Sequence, residues 1–89
     1  MSKIISSKEI LIRCNKGFFK MFVSEHDNGN FYVGVLYYEK KGSWSNNEDV
    51  ILSFHLETFV DSSENKAVEK AKSWVKKNLA NDAEFIPIK

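Results

Sequence analysis

The spacing of apolar residues changes period once along this chain, near residue 61, and that change restricts the fold more than any other feature. Before it, four runs follow the period of 2 that sends alternate side chains to opposite faces of a strand. They are Glu9–Cys14 (EILIRC), Phe18–His26 (FFKMFVSEH), Phe31–Glu39 (FYVGVLYYE) and Val50–Val60 (VILSFHLETFV). After it, Ala67, Val68, Ala71, Trp74, Val75 and Leu79 recur at the spacing of a single helical stripe. Asp61 reads as the N-cap of that helix, with Glu64 as its capping-box partner. Lys72, Lys76 and Lys77 stand toward the end where the helix dipole favours positive charge. The order β-β-β-β-α with short local links predicts an α+β fold, a four-stranded antiparallel meander with one C-terminal helix packed on one face.

At 89 residues the chain is expected to be one domain. The expected parts are an N-terminal segment 1–8, a sheet 9–60, a helix 61–80 and a tail 81–89. Asn15-Lys16-Gly17 and Asn28-Gly29 are the turn signals, and the second is the strongest short hairpin signal in the sequence. Lys40–Asp49 (KKGSWSNNED) reads as a longer loop around Trp44. The apolar tail Phe85-Ile86-Pro87-Ile88 reads either as a short edge strand or as a cover for part of the sheet.

If both hairpins are two-residue turns, Ile12 lies opposite Met21 and Met21 opposite Leu36. The helix-covered face then collects Ile10, Ile12, Phe19, Met21, Val23, Leu36, Leu52, Phe54 and Leu56. The other face collects Phe18, Phe22, Val33, Val35, Tyr37, Ile51 and Phe59, diluted by Lys20, Ser24 and His55. A solvated face of an antiparallel sheet is normally polar, so this second face wants a cover. The candidates are the two termini (Phe85–Ile88 with Ile4 and Ile5), a second copy giving a homodimer, a protein partner, or nucleotide bases. Gly34, inside a strand, marks a bulge or a close approach, for which Trp74 is a candidate neighbour.

Catalytic constellations are scarce, and the chain is expected not to be an enzyme. His26 and His55 have no neighbour at metal-ligand spacing, so no metal or cofactor is expected. Cys14 with His55, and Glu57 with Asp61, are the only pairs worth testing in space. There is no glycine-rich phosphate loop. One cysteine excludes an intramolecular disulfide framework and fits a reducing compartment. No apolar run reaches the length of a membrane span, and Met1–Ser7 has no secretory h-region, so a cytoplasmic protein without membrane contact is expected.

The net charge of +1 conceals a segregated pattern. Ser45–Asn65 holds Glu48, Asp49, Glu57, Asp61 and Glu64 with no lysine or arginine, whereas Lys66–Asn78 holds five lysines and one acid, Glu69. Two functions compete for this arrangement. In one, an acidic surface of Glu48, Asp49, His55, Glu57 and Asp61, anchored by Trp44, binds a basic protein such as a nuclease toxin domain. In the other, Phe18, Phe22 and Tyr37 stack bases while Lys20, or the helix stripe Lys66, Lys70 and Lys77, meets the phosphates of a single strand. A solubilising helix surface is the plainer account of the lysines. With a single arginine, Arg13, and no basic excess, nucleic acid is the less favoured partner.

The strands FYVGVLYYE and FHLETFV followed by the AVEKAKSWVKKNL helix resemble half of a Whirly-type single-stranded-DNA-binding domain. The Lys-Gly-Lys-Ala-Ala-Leu motif of that family is missing here. In layout, size and low cysteine content the chain also resembles the small bacterial immunity proteins encoded beside contact-dependent growth inhibition toxins. That resemblance implies a cytosolic single domain that binds and neutralises a cognate nuclease toxin. The group shares no diagnostic motif, so the resemblance assigns no site residue. The expectation is therefore a protein-binding immunity module, with single-strand binding and a homodimeric interaction protein as the alternatives.

Overall fold

A computed structural model describes residues 3–42 and 49–88, with side chains for 3–39 and 51–88. Five strands and one helix follow one another as β1 (Ile4–Cys14), β2 (Gly17–His26), β3 (Phe31–Gly42), β4 (Asp49–Asp61), α1 (Glu64–Asn78) and β5 (Glu84–Ile88). The first four strands form the expected antiparallel meander, and the sheet order is β4-β3-β2-β1-β5. The tail is thus a fifth strand on the outer edge of β1, with Leu11 opposite Ile86 and Ile12 opposite Phe85. It does not fold over the sheet. Ile4 and Ile5 prolong β1 and remain more than half exposed at 56% and 62%, so neither terminus covers the second face.

The turns differ from the tight pair expected, with unequal consequences. In the first hairpin Asn15-Lys16 is the turn and Cys14 pairs with Gly17, so Ile12 meets Phe19 and Ile10 meets Met21. That slip of two residues leaves every side chain on its expected face. In the second hairpin His26 N donates to Asn30 O at 3.0 Å and Gly29 N to His26 O at 3.1 Å. The loop is three residues long, Asp27-Asn28-Gly29, and Gly29 takes φ +87°. This is a type I turn closed by a left-handed glycine, the commonest three-residue hairpin. The extra residue moves the register by one, so Met21 faces Val35 instead of Leu36.

A bulge then corrects β4. Val35 pairs with Glu57 but Leu36 with His55, leaving Leu56 as the extra residue. Phe59 therefore shares the helix face with Phe54 and Leu52, while His55, Ser53 and Ile51 share the other. A single uninterrupted alternation along β4 would have separated Phe59 from Phe54.

The rows across the helix face are consequently Pro87–Ile10–Met21–Val35–Glu57, Phe85–Ile12–Phe19–Tyr37–Phe54 and Lys8–Val23–Val33–Phe59. Ala67, Ala71 and Val75 of α1 press onto this face, and Met21, Val33, Val35 and all three helix residues are fully buried. Phe59 packs against Trp74 with ring centroids 6.3 Å apart. The whole helical stripe read from sequence joins this core, including Val68 and Leu79 at its margin.

The helix begins later than expected. Ser63 is the N-cap, accepting from Lys66 N at 3.5 Å. Asp61 lies two residues before it and accepts from Ser63 N at 3.0 Å, so it braces the cap without being the cap. With lysine at the third helical position no capping box forms, and Glu64 instead pairs with Lys8 of β1 at 3.1 Å. No helix of the described residues is long and apolar enough to cross a membrane.

Candidate interaction surface

β4 is an edge strand, and its open side carries backbone donors and acceptors with no described strand beside them. Residues 51–58 are all exposed. Proteins usually protect such edges with lysine, proline or frequent charge, yet this stretch is Ile-Leu-Ser-Phe-His-Leu-Glu-Thr, with Glu57 as its one formal charge. The helix covers only the half of the sheet near Phe59. Beyond it, Tyr37 stacks on Phe54 with ring centroids 6.1 Å apart and meets Phe19 at a tilt at 5.1 Å, but Phe54 stays 46% exposed and Leu52 37%. The distal half of β4 is thus an apolar strand open on its edge, paired with the Glu39-Lys40-Lys41 end of β3.

The acidic surface expected from sequence does not assemble as one patch. Trp44 and Glu48 lie outside the described residues. Asp49 closes the β3–β4 pairing opposite Gly42, and its side chain lies outside the described set. The bulge at Leu56 divides His55 from Glu57. His55 lies on the helix-free face, sharing a hydrogen bond with Thr58 Oγ1, whereas Glu57 is on the helix face and accepts from Thr58 N at 3.1 Å. Asp61 is engaged by Lys70, whose Nζ is 3.1 Å from Asp61 Oδ2 and donates to Val60 O at 3.2 Å. The backbone hydrogen bond from Ser63 first, and then Lys70, hold the Asp61 carboxyl below its ordinary pKa. With Glu64 bound to Lys8, two acids of the segregated segment are matched by bases brought from elsewhere, so the dipole written in sequence is partly cancelled in space.

The nucleic-acid surface is divided as well. Phe18, Lys20 and Phe22 share the helix-free face, but Tyr37 is on the helix face and Tyr38 takes the expected place. Phe18 meets Tyr38 edge to face at 6.1 Å, and Lys20 Nζ lies 5.2 Å from the Tyr38 ring centre and 5.9 Å from that of Phe18. The same ammonium donates to Glu9 Oε2 at 3.4 Å. Lys20 is therefore held by a carboxylate and two rings, a poor arrangement for meeting phosphate. Lys66, Lys70 and Lys77 belong to α1, on the opposite side of the sheet from Phe18. Lys66 and Lys70 line a shallow groove beside β4 with Phe59, Asp61, Glu69 and Ser73, and Lys77 is exposed in the last helical turn. One strand of nucleic acid cannot lie on the rings and the helix stripe together.

The remaining chemical candidates are also separated. Cys14 ends β1 on the helix face, while His55 sits three strands away on the other face. Glu57 and Asp61 are four positions apart along one strand, about 13 Å at an ordinary strand rise. Among the described residues no three His, Cys, Asp or Glu side chains gather as a metal site. Gly34 is approached by His55, whose Cδ2 lies 3.8 Å from where a Cβ would stand, and the bulge begins one residue later.

The second-face members missed by the sequence reading include Leu11 on β1 and Leu36 and Tyr38 on β3. A three-residue reading of Asp27-Asn28-Gly29 would have found the last two, since it moves every β3 side chain across the sheet. Comparison of the chain with protein-family models, with curated proteins and with solved structures returns no match.

Proposed function

We propose that this chain is a protein-binding module that takes its partner along the open edge of β4 and the distal β3–β4 ribbon. The observation carrying this reading is the run 51–58, exposed throughout and apolar at Ile51, Leu52, Phe54 and Leu56. A partner segment laid antiparallel to β4 would satisfy its outward N–H and C=O groups and bury Leu52 and Phe54. Backbone pairing would supply affinity, and the alternate side chains would supply specificity.

The finer form of the proposal is an immunity protein that neutralises a nuclease-type toxin domain. Its support is chemical. Such a partner is basic around its active site, and Glu57, the one formal charge in the exposed run 51–58, would give the β4 edge an acidic contact for it. No catalytic role is proposed for the chain itself. The test is titration against the product of the gene immediately upstream, with the native chain and with a Leu52→Lys/Phe54→Lys variant. Saturable binding that the variant weakens by about tenfold or more, near 1.4 kcal/mol, is expected. No binding at micromolar concentration would remove the toxin reading, and binding indifferent to the variant would remove the β4 ribbon as its site.

A further inference from the structure

We propose that the helix-free face of the sheet is a self-association surface on which two copies of the chain pack sheet against sheet. This goes beyond the β4 reading and, Ile51 apart, rests on other side chains. The face is crossed by the rows Ile86–Leu11–Lys20–Leu36–His55 and Glu84–Arg13–Phe18–Tyr38–Ser53. Its centre is Leu11, Phe18, Phe22, Leu36 and Tyr38, an apolar surface where a solvated antiparallel sheet would present polar groups. No described element lies over it, and Phe18 and Ile51 are 52% and 67% exposed.

Charge selects the occupant. Among the described side chains, the formally charged groups of this face are Glu9, Arg13, Lys20 and Glu84, closed within the protomer, while His55 shares a hydrogen bond with Thr58 and His26 with Ser24. Arg13 donates to Glu84 at 2.8 Å and Lys20 to Glu9 at 3.4 Å. A face with its ion pairs closed attracts neither a polyanion nor a basic protein, and it does not repel its own copy. Net neutrality with an apolar centre is what a twofold, self-complementary contact requires.

Size agrees with that occupant. Four strands contribute about ten residues each and β5 five. At roughly 3.3 Å rise and 4.8 Å strand spacing the face measures about 700 Å². A stable interface buries about 800 Å² per partner, so one such face meeting another is near the standard scale. Two sheets stacked about 10 Å apart would interdigitate Phe18, Leu36 and Ile51 of each copy, and the β4 edge would stay open at the side.

Sedimentation equilibrium of the full chain at about 100 µM tests this, since interfaces of this size bind in the micromolar range or tighter. The expected mass is twice the 10.3 kDa of one chain. Phe18→Glu/Ile51→Glu should sediment as a monomer with an unchanged circular dichroism spectrum, and Leu52→Lys/Phe54→Lys should remain a dimer. A monomeric native chain, or a dimer lost only in the Leu52/Phe54 variant, overturns the proposal. Isotope-filtered NMR on mixed native protomers gives a readout independent of variant folding. Contacts between Leu36 methyls and the Phe22 ring across the interface are expected, and intermolecular contacts confined to Leu52 and Phe54 would overturn it.

Discussion

Alanine at each of three glycines separates backbone conformation from available space, because the three positions differ in both. Gly29 has φ +87°, and a Cβ added there would meet nothing within 4 Å, so Gly29→Ala incurs only the left-handed backbone penalty, about 1–2 kcal/mol. Gly17 has φ +143°, and a Cβ there would stand 3.0 Å from Tyr37 Cε1, a ring already held between Phe19 and Phe54. Backbone strain of about 1–3 kcal/mol and the displaced ring together put Gly17→Ala near 3 kcal/mol. Gly34 has neither problem, since its backbone is not in the positive-φ region and its nearest neighbour, His55 Cδ2, is at an ordinary 3.8 Å. Glycine within a strand costs about 0.5–1 kcal/mol relative to alanine, so Gly34→Ala should stabilise by about that amount. For a chain of 89 residues, 1 kcal/mol corresponds to about 5 °C in Tm. Thermal and urea unfolding at one protein concentration should therefore give a loss of about 15 °C, a loss of about 5–10 °C and a gain of about 2–5 °C for positions 17, 29 and 34. A neutral Gly17→Ala, or a Gly34→Ala that costs more than Gly29→Ala, would refute the hairpin geometry and the register built on it.

Met21 is fully buried at the centre of the helix face, so Met21→Ala should cost about 2–5 kcal/mol, read from the urea midpoint. The Asp61 carboxyl titrates lower folded than unfolded, so its contribution is complete above the unfolded pKa and is lost as pH falls through the folded value. Urea midpoints followed downward from about pH 5 should fall less steeply in Asp61→Ala than in the native chain. Single-stranded oligonucleotides should give no saturable anisotropy change at physiological salt. Micromolar, salt-sensitive binding weakened by Lys66/Lys70/Lys77→Ala would contradict the division of the basic and aromatic groups between opposite sides of the sheet.

The parts of the fold legible in the sequence are those fixed by periodicity. Alternation in Phe18–His26 marks β2 wherever its partners lie, and the stripe from Ala67 to Leu79 marks α1 and its buried side. Register is less legible because it depends on one residue at a turn. Asn28-Gly29 suits a two-residue loop and a three-residue loop alike, and the choice exchanges Leu36 for Val35 in the core. The bulge at Leu56 leaves no compositional mark, because Phe54, Leu56 and Phe59 are apolar on either alternation. For the surface, apolar excess on both faces of the strands correctly indicates a second face without a helix. The acidic grouping misleads because sequence shows Asp61 and Glu64 together and gives no sign that Lys70 and Lys8 meet them.

Amide hydrogen exchange along β4 in the isolated chain tests the open edge most directly. N–H groups bonded to β3 should exchange slowly, and the outward N–H groups between Ile51 and Thr58 should exchange near their intrinsic rates, becoming slow when a partner is bound. Protection of both sets in the isolated chain would mean that the edge is already paired, and would contradict β4 as the docking strand.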